Sequence, residues 1–200
     1  MGAVRTGVLG GTFDPPHLGH LVLAAAARRA LSLDRVLFIP AGLPWRKADR
    51  EVSEAQVRLR MTEAAVAGFA WAAVSTLEVD RAGPSYASAT MQALAADGGD
   101  WWFILGADAL SDLPNWYEPE TLLKAARLAL VARDGATEVP FAVASALPGI
   151  EACIDRLAMP NLDVSSTALR ARVREGRSAE VLLPHAVRAV IDQTGLYRPA

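Results

Sequence analysis

A short, mostly apolar run at 4–9 leads into Gly10-Gly11, and an Ala- and Leu-rich stretch unbroken by proline follows at 18–31. The first has the length of a strand and the second that of a helix. Between them lies Gly10-Gly11-Thr12-Phe13-Asp14-Pro15-Pro16-His17-Leu18-Gly19-His20. A glycine pair at a strand-to-helix turn lets bare backbone approach a ligand closely. The helix that follows presents unpaired N–H groups and a positive dipole end, which suits a phosphate. Pro15 and Pro16 stiffen the approach, and proline is well tolerated at a first helical position. His17 and His20 are three apart, so one helical turn places both imidazoles on the same face.

The stretch departs from the common nucleotide loops. No Gly-Lys-Ser/Thr follows it, which excludes a Walker loop. Gly7-x-x-Gly10-Gly11 lacks the spacing of the dinucleotide fingerprint. A histidine pair can bind a metal, yet no third ligand stands at a convincing spacing and Cys153 is remote. A tight turn with two surface histidines is the plain alternative.

Alternation of apolar runs with helical stretches sets the fold class. Residues 4–9, 35–40, 71–79, 101–105 and 128–132 read as strands, and 53–68, 85–96 and 118–126 as helices between them. Such a βαβ series predicts an α/β, Rossmann-like, doubly wound and mostly parallel sheet with helices on both faces. With 200 residues, the chain reads as a single domain, 1–200, carrying a C-terminal helical portion at about 165–200. Residues 134–151 are the least legible. Ligands of such a sheet belong at the carboxyl ends of the strands.

A net charge of −2 argues against a long nucleic-acid track. The longest apolar helix stops at Arg28-Arg29, too short to span a bilayer, and no signal peptide is visible. A lone cysteine, Cys153, excludes an internal disulfide framework, reads as a small core residue and suits a reducing cytoplasm. A homo-oligomer stays open.

Further candidates follow the later strands. Pro40-Ala41-Gly42-Leu43-Pro44-Trp45-Arg46-Lys47 is a Pro/Gly loop with an aromatic and two cations, suited to a phosphorylated aromatic substrate or to an ordinary surface. Ser53 and Gln56 form a capping box for the helix after them, and Ser85 a cap for one starting at Tyr86, whose N–H groups can meet an anion. Gly106-Ala107-Asp108 ends a strand. Its acid can accept from ribose hydroxyls or hold a metal, while its glycine admits a sugar or base edge. Trp116, in the Pro-bounded turn Leu113-Pro114-Asn115-Trp116-Tyr117, reads as exposed and therefore as a stacking surface. Trp101 and Trp102 read as core. Arg133 ends the fifth strand. In Val164-Ser165-Ser166-Thr167-Ala168-Leu169-Arg170, Ser165 or Ser166 caps a helix and Arg170 lies one turn along. Hydroxyls, bare N–H groups and a guanidinium together make a polyphosphate clamp. Leu183-Pro184-His185 opens a last helix that ends at Gly195-Leu196-Tyr197, with His185 read as a surface or capping residue.

Gly-Gly-Thr-Phe-Asp-Pro-Pro-His-Leu-Gly-His resembles the signature of the nucleotidyltransferases that carry a His-x-Gly-His motif. Ser-Ser-Thr-x-x-Arg, Gly106-x-Asp108, Trp116 and the Gly195-Leu196-Tyr197 tail extend the likeness over nearly the whole chain. Within that superfamily it is most similar to the nicotinate-nucleotide adenylyltransferases, and Trp45-Arg46, where most relatives carry a His, resembles the actinobacterial branch. The resemblance implies transfer of the adenylyl group of ATP to nicotinate mononucleotide, giving deamido-NAD and pyrophosphate, with Mg²⁺ accompanying ATP. It implies His17 and His20 as catalytic donors. Gly10, Gly11, Thr12, Phe13, Gly106, Asp108, Ser166, Thr167 and Arg170 would bind ATP. Thr12, Lys47, Ser85, Tyr86, Asp108, Trp116 and Arg133 would bind the mononucleotide, with Trp116 facing its ring. Another small transferase with the same first motif, such as a phosphopantetheine adenylyltransferase or a cytidylyltransferase, is the nearest rival reading. A non-catalytic nucleotide sensor on the same scaffold is the rival from another class.

Overall fold

The computed structural model describes residues 2–47, 51–133, 138–159, 162–179 and 181–198, the side chains of Lys47, Ala132 and Arg133 excepted. Six strands, β1 (Arg5–Gly11), β2 (Arg35–Pro40), β3 (Ala72–Val74), β4 (Asp100–Gly106), β5 (Arg127–Arg133) and β6 (Ile154–Met159), form one sheet in the order β3-β2-β1-β4-β5-β6. β1–β4, β4–β5 and β5–β6 pair in parallel. The helices are α1 (Leu18–Ala30), α2 (Ala55–Val66), α3 (Ala87–Ala95), α4 (Ala107–Asp112), α5 (Pro119–Ala125), α6 (Phe141–Ala146), α7 (Ser166–Arg174) and α8 (His185–Thr194). This is the Rossmann-like α/β fold that the alternating runs predict. The strand order reverses beside β1, where such sheets bind ligands at their carboxyl ends.

The described residues group into two compact units interleaved along the chain. One comprises Met1–Gly10, Leu23–Leu37 and Ser85–Asn161, the other Gly11–Val22, Phe38–Pro84 and Leu162–Ala200. The first holds the apolar strands β4 and β5, whose Phe103, Ile104, Leu128, Ala129 and Leu130 are all buried. Its edge strand β6 is anchored by Asp155, which accepts from Trp102 Nε1 at 2.8 Å and from both Arg127 Nε and Nη2. The second unit contains α2, α7 and α8 together with the turn after β1.

Several boundaries differ from the sequence expectation. The strand expected at 71–79 is only Ala72–Val74, because the chain turns where Asp80 N–H meets the Thr76 carbonyl. β6 and α4 carry no distinct apolar run and were not expected, and α6 falls in the stretch 134–151 that the sequence leaves least legible. Ser53 and Ser85 do not stand at the cap positions expected of them: the residue at that position is Glu54 for α2 and Tyr86 for α3, both without a side-chain cap bond. Ser53 instead gives its backbone N–H to Asp14 Oδ2 at 3.2 Å. Cys153 is half-buried, not a core residue. No helix among the described residues is long and apolar enough to cross a membrane.

Candidate active site

The turn after β1 is shaped by side chains folding back onto glycine. Phe13 has φ 49° and is buried, with its ring against Phe38 and edge-on to His20 at a centroid distance of 5.0 Å. A Cβ on Gly11 would stand 3.1 Å from that ring, so any larger residue would push it aside. Gly19 has the same logic. A Cβ there would meet His17 Nδ1 and Cε1 and Val164 Cγ1, each at 2.9 Å. The glycine within His17-Leu18-Gly19-His20 is thus the space into which His17 and Val164 pack.

His17 immediately precedes α1, and its carbonyl accepts the backbone N–H of His20 at 2.9 Å. In return His20 Nδ1 accepts the His17 backbone N–H at 3.1 Å. This reciprocal pair places an imidazole where a capping box has Glu or Gln. A ring that accepts at Nδ1 carries its proton on Nε2, so His20 presents that N–H as a donor. The two imidazoles stack at 3.8 Å with 27° between their planes, which realises the expected shared face although His17 lies just outside the helix.

His17 is 7 % exposed, and burial pushes its pKa from 6.5 down to about 4. The ring is therefore neutral at neutral pH. Its buried Nδ1 has no hydrogen-bond partner among the described residues, a cost a bound ligand atom can relieve. The unfolded chain takes up a proton at this residue below pH 6.5, the folded chain only near pH 4. Its contribution to stability is complete above pH 6.5 and is lost as the pH falls toward 4. The gap amounts to roughly 3 kcal/mol. Urea unfolding at about pH 7.5 and about pH 4 should show His17→Asn narrowing the difference between the two by about 2–3 kcal/mol. Parallel pH profiles for the two proteins would contradict this assignment.

Helix α7 brings the second motif to the same place. Ser165 caps it, its Oγ accepting from the Ala168 N–H at 3.2 Å. Ser166 Oγ donates to the Pro15 carbonyl at 2.8 Å. Arg170 Nη1 donates to the Asp14 carbonyl at 2.8 Å, with Nη2 at 3.5 Å from Thr167 Oγ1. A cavity of about 280 Å³ is lined by Thr12, Phe13, Asp14, His17, His20, Glu51, Val52, Val164, Ser165, Ser166, Thr167 and Arg170. The two motifs, some 150 residues apart (|i−j| = 151 for Ser166 and Pro15), therefore form one site.

Hydroxyls, imidazoles, a helix N-terminus and a guanidinium offer donors for an anion here, beside the carboxylates of Asp14 and Glu51. Neither serine of the cavity is bonded to a histidine; both are committed to backbone groups. The arrangement suits charge stabilisation and positioning more than attack by a side-chain nucleophile.

The remaining candidates, Lys47 excepted, lie in the other unit. Gly106 ends β4 and precedes α4, and Asp108 is exposed in the first turn of α4. Trp116 is half-buried, not free-standing as the sequence suggested, because its ring meets Phe103 edge-on at 5.8 Å and its Nε1 donates to Asp112 Oδ2 at 3.3 Å. Tyr86 stacks on the exposed Tyr117 at 4.2 Å. Lys47 ends a 3₁₀ turn and Arg133 ends β5, but their side chains lie outside the described residues.

Sequence reasoning missed the support beneath the turn. Arg58, 1 % exposed, donates to three carbonyls: Ser53 through Nε at 2.8 Å, Thr12 through Nη1 at 2.9 Å and Gly42 through Nη2 at 3.0 Å. Burial lowers its pKa and the Asp14 charge raises it.

Comparison with known proteins decides the family. The cytidylyltransferase-like family model matches residues 8–172. A probable nicotinate-nucleotide adenylyltransferase of Roseiflexus sp. (strain RS-1) is 44% identical over 199 residues, covering 99% of this chain and 100% of that protein. The chain belongs to the nicotinate-nucleotide adenylyltransferase family. A second probable member, from Dehalococcoides mccartyi (strain ATCC BAA-2266 / KCTC 15142 / 195), is 38% identical over 98% of each chain. The family's fold is seen in the solved Plasmodium falciparum nicotinic acid mononucleotide adenylyltransferase complexed with NaAD. It superposes with a TM-score of 0.75 at 17% identity over 96% of each chain.

Proposed function

We propose that this chain transfers the adenylyl group of ATP to nicotinate mononucleotide, releasing pyrophosphate and forming deamido-NAD in NAD biosynthesis. The observation that carries the reading is the union of the His-x-Gly-His turn and the Ser-Ser-Thr-x-x-Arg helix in one anion-seeking cavity. The nucleophile is a phosphate, already an anion at neutral pH, and needs no strong base. In-line positioning can supply about 7–11 kcal/mol, and each well-aimed donor about 3 kcal/mol.

In this reading His20 Nε2–H and His17 donate to the phosphates of ATP held over Gly10, Gly11, Thr12 and Phe13. Ser166, Thr167 and Arg170 hold the leaving pyrophosphate. Mg²⁺ arrives as part of the substrate MgATP and neutralises the triphosphate. Gly106 and Asp108 serve the nucleotide sugar, while Ser85, Tyr86, Trp116, Lys47 and Arg133 serve the mononucleotide. The cytoplasm, which supplies ATP, is the proposed compartment.

A pyrophosphate-release assay with ATP against a panel of phosphorylated acceptors tests the reading. Release should follow nicotinate mononucleotide; release with phosphopantetheine, use of CTP, or ATP binding without turnover would each favour a rival. Trp116→Ala should raise the Michaelis constant for the mononucleotide by about tenfold, as expected for removal of a whole aromatic face, and leave that for ATP nearly unchanged. The acid-to-amide ratio of kcat/KM should survive, because both ligands present the same ring. A collapse of that ratio would assign carboxylate recognition to Trp116 and not to backbone donors near Ser85 and Tyr86.

A further inference from the structure

Asp14 is 4 % exposed and joins four parts of its unit. Its Oδ1 accepts from the Tyr197 hydroxyl at 2.5 Å and its Oδ2 from the Ser53 N–H at 3.2 Å. Its main-chain carbonyl accepts from Arg170 Nη1, and the next carbonyl, that of Pro15, from Ser166 Oγ, both at 2.8 Å. The carboxylate thus binds the tail and the approach to α2, while the backbone of the same turn seats the two phosphate-clamp residues of α7.

Tyr197 reaches Asp14 by an unusual path. Gly195, with φ 68°, ends α8 in the left-handed conformation that glycine favours. Tyr197 is itself left-handed, with φ 65°. A bulky residue keeps such a backbone only where its surroundings over-determine it. Here its hydroxyl is bonded to Asp14 and stands 4.0 Å from Met61 Sδ. Burial, reinforced by the Asp14 charge, raises the phenol's pKa, so the group stays a donor. Among the described residues, Tyr197 is not in the lining of the cavity that holds the histidine pair; it lines a second cavity, of about 1190 Å³, that shares Asp14, Thr167 and Arg170 with the first.

We propose that Tyr197 is a positioning residue: by fixing the Asp14 carboxylate, its hydroxyl holds the 14–15 backbone on which Arg170 and Ser166 are seated, presetting the clamp for the phosphates of ATP. The proposal rests on the reading of that cavity as the ATP site. A purely structural role for the tail would lower stability without coupling to Arg170.

The test is a double-mutant cycle on ATP affinity, measured by calorimetry, which needs no turnover. Tyr197→Phe keeps the ring and removes the donor. It should weaken ATP binding by about five- to tenfold with Arg170 present, the scale of one charge-assisted hydrogen bond transmitted in part. In an Arg170→Ala background the same change should cost less than about twofold. Equal factors in both backgrounds, or unchanged affinity in the first, would overturn the proposal. Should Tyr197→Phe fail to fold, Asp14→Asn, the other side of the same bond, takes its place in the cycle with the same expectations. A wild type that binds ATP but forms no deamido-NAD refutes the proposed function and leaves the cycle decisive for Tyr197. A wild type that binds no ATP refutes both.

Discussion

His20→Ala lowers turnover by roughly a hundredfold or more while leaving the fold in place, the scale for a lost transition-state donor. The ring is held on three sides. It accepts the His17 backbone N–H, stacks on His17 and meets the edge of Phe13. These contacts fix which nitrogen donates and where it lies, and such preorganisation gives a donor its catalytic value. They also mean that alanine removes a cap, worth about 1 kcal/mol. His20→Gln separates the two roles, since glutamine at this position can still reach back to the His17 N–H. It should recover the stability and not the turnover. Steady-state assays beside circular dichroism decide the matter. A turnover within about threefold of wild type for His20→Ala would remove this residue from the mechanism.

Arg58→Met is the most damaging change expected away from the cavity. Three carbonyls from separate segments, those of Thr12, Gly42 and Ser53, converge on one guanidinium. Methionine fills a similar volume but removes the Arg58 donor from all three, and it leaves the buried Asp14 without the Arg58 charge. The loss should be about 3–5 kcal/mol, the usual cost of breaking a buried charged network from one side. Arg58→Lys should recover only part, because one ammonium cannot match a planar fork with partners in three directions. Urea denaturation monitored by circular dichroism measures both variants. A loss below about 1 kcal/mol for Arg58→Met would show that water can replace the guanidinium.

The legible parts of the site are those written in contiguous residues. A phosphate turn and a capped helix N-terminus each need a glycine, hydroxyl or histidine at fixed local spacing, so Gly10 to His20 and Ser165 to Arg170 announced themselves. The apolar strands β4 and β5 were equally plain, being buried at Trp102 to Leu105 and at Leu128 to Val131. β6 was not, because Asp155 and Arg156 interrupt its apolar pattern at the edge of the sheet, where Asp155 is committed to Arg127 and Trp102. The run at 71–79 misled in the opposite sense: its apolar content exceeds its three residues of ladder. Asp14 lies inside that legible turn, but the role of its carboxylate gave no local signal. Its partners Ser53, Arg170 and Tyr197 lie 39, 156 and 183 residues away, and no periodicity records such bonds. Trp116 was legible as an aromatic in a turn, but its bond to Asp112 and its edge contact with Phe103 belong to tertiary packing.

The central claim is that this site works by positioning and charge stabilisation, with no adenylyl group carried on the protein. Its serines are tied to backbone groups, and the attacking phosphate is an anion before it binds. The most direct measurement is the configuration at phosphorus after one transfer from ATP whose α-phosphorus is made chiral by a single sulfur in place of a non-bridging oxygen. Phosphorus NMR of the thio-substituted deamido-NAD should show inversion, the mark of one in-line displacement. Retention would require two displacements through an adenylylated side chain, and would contradict the account.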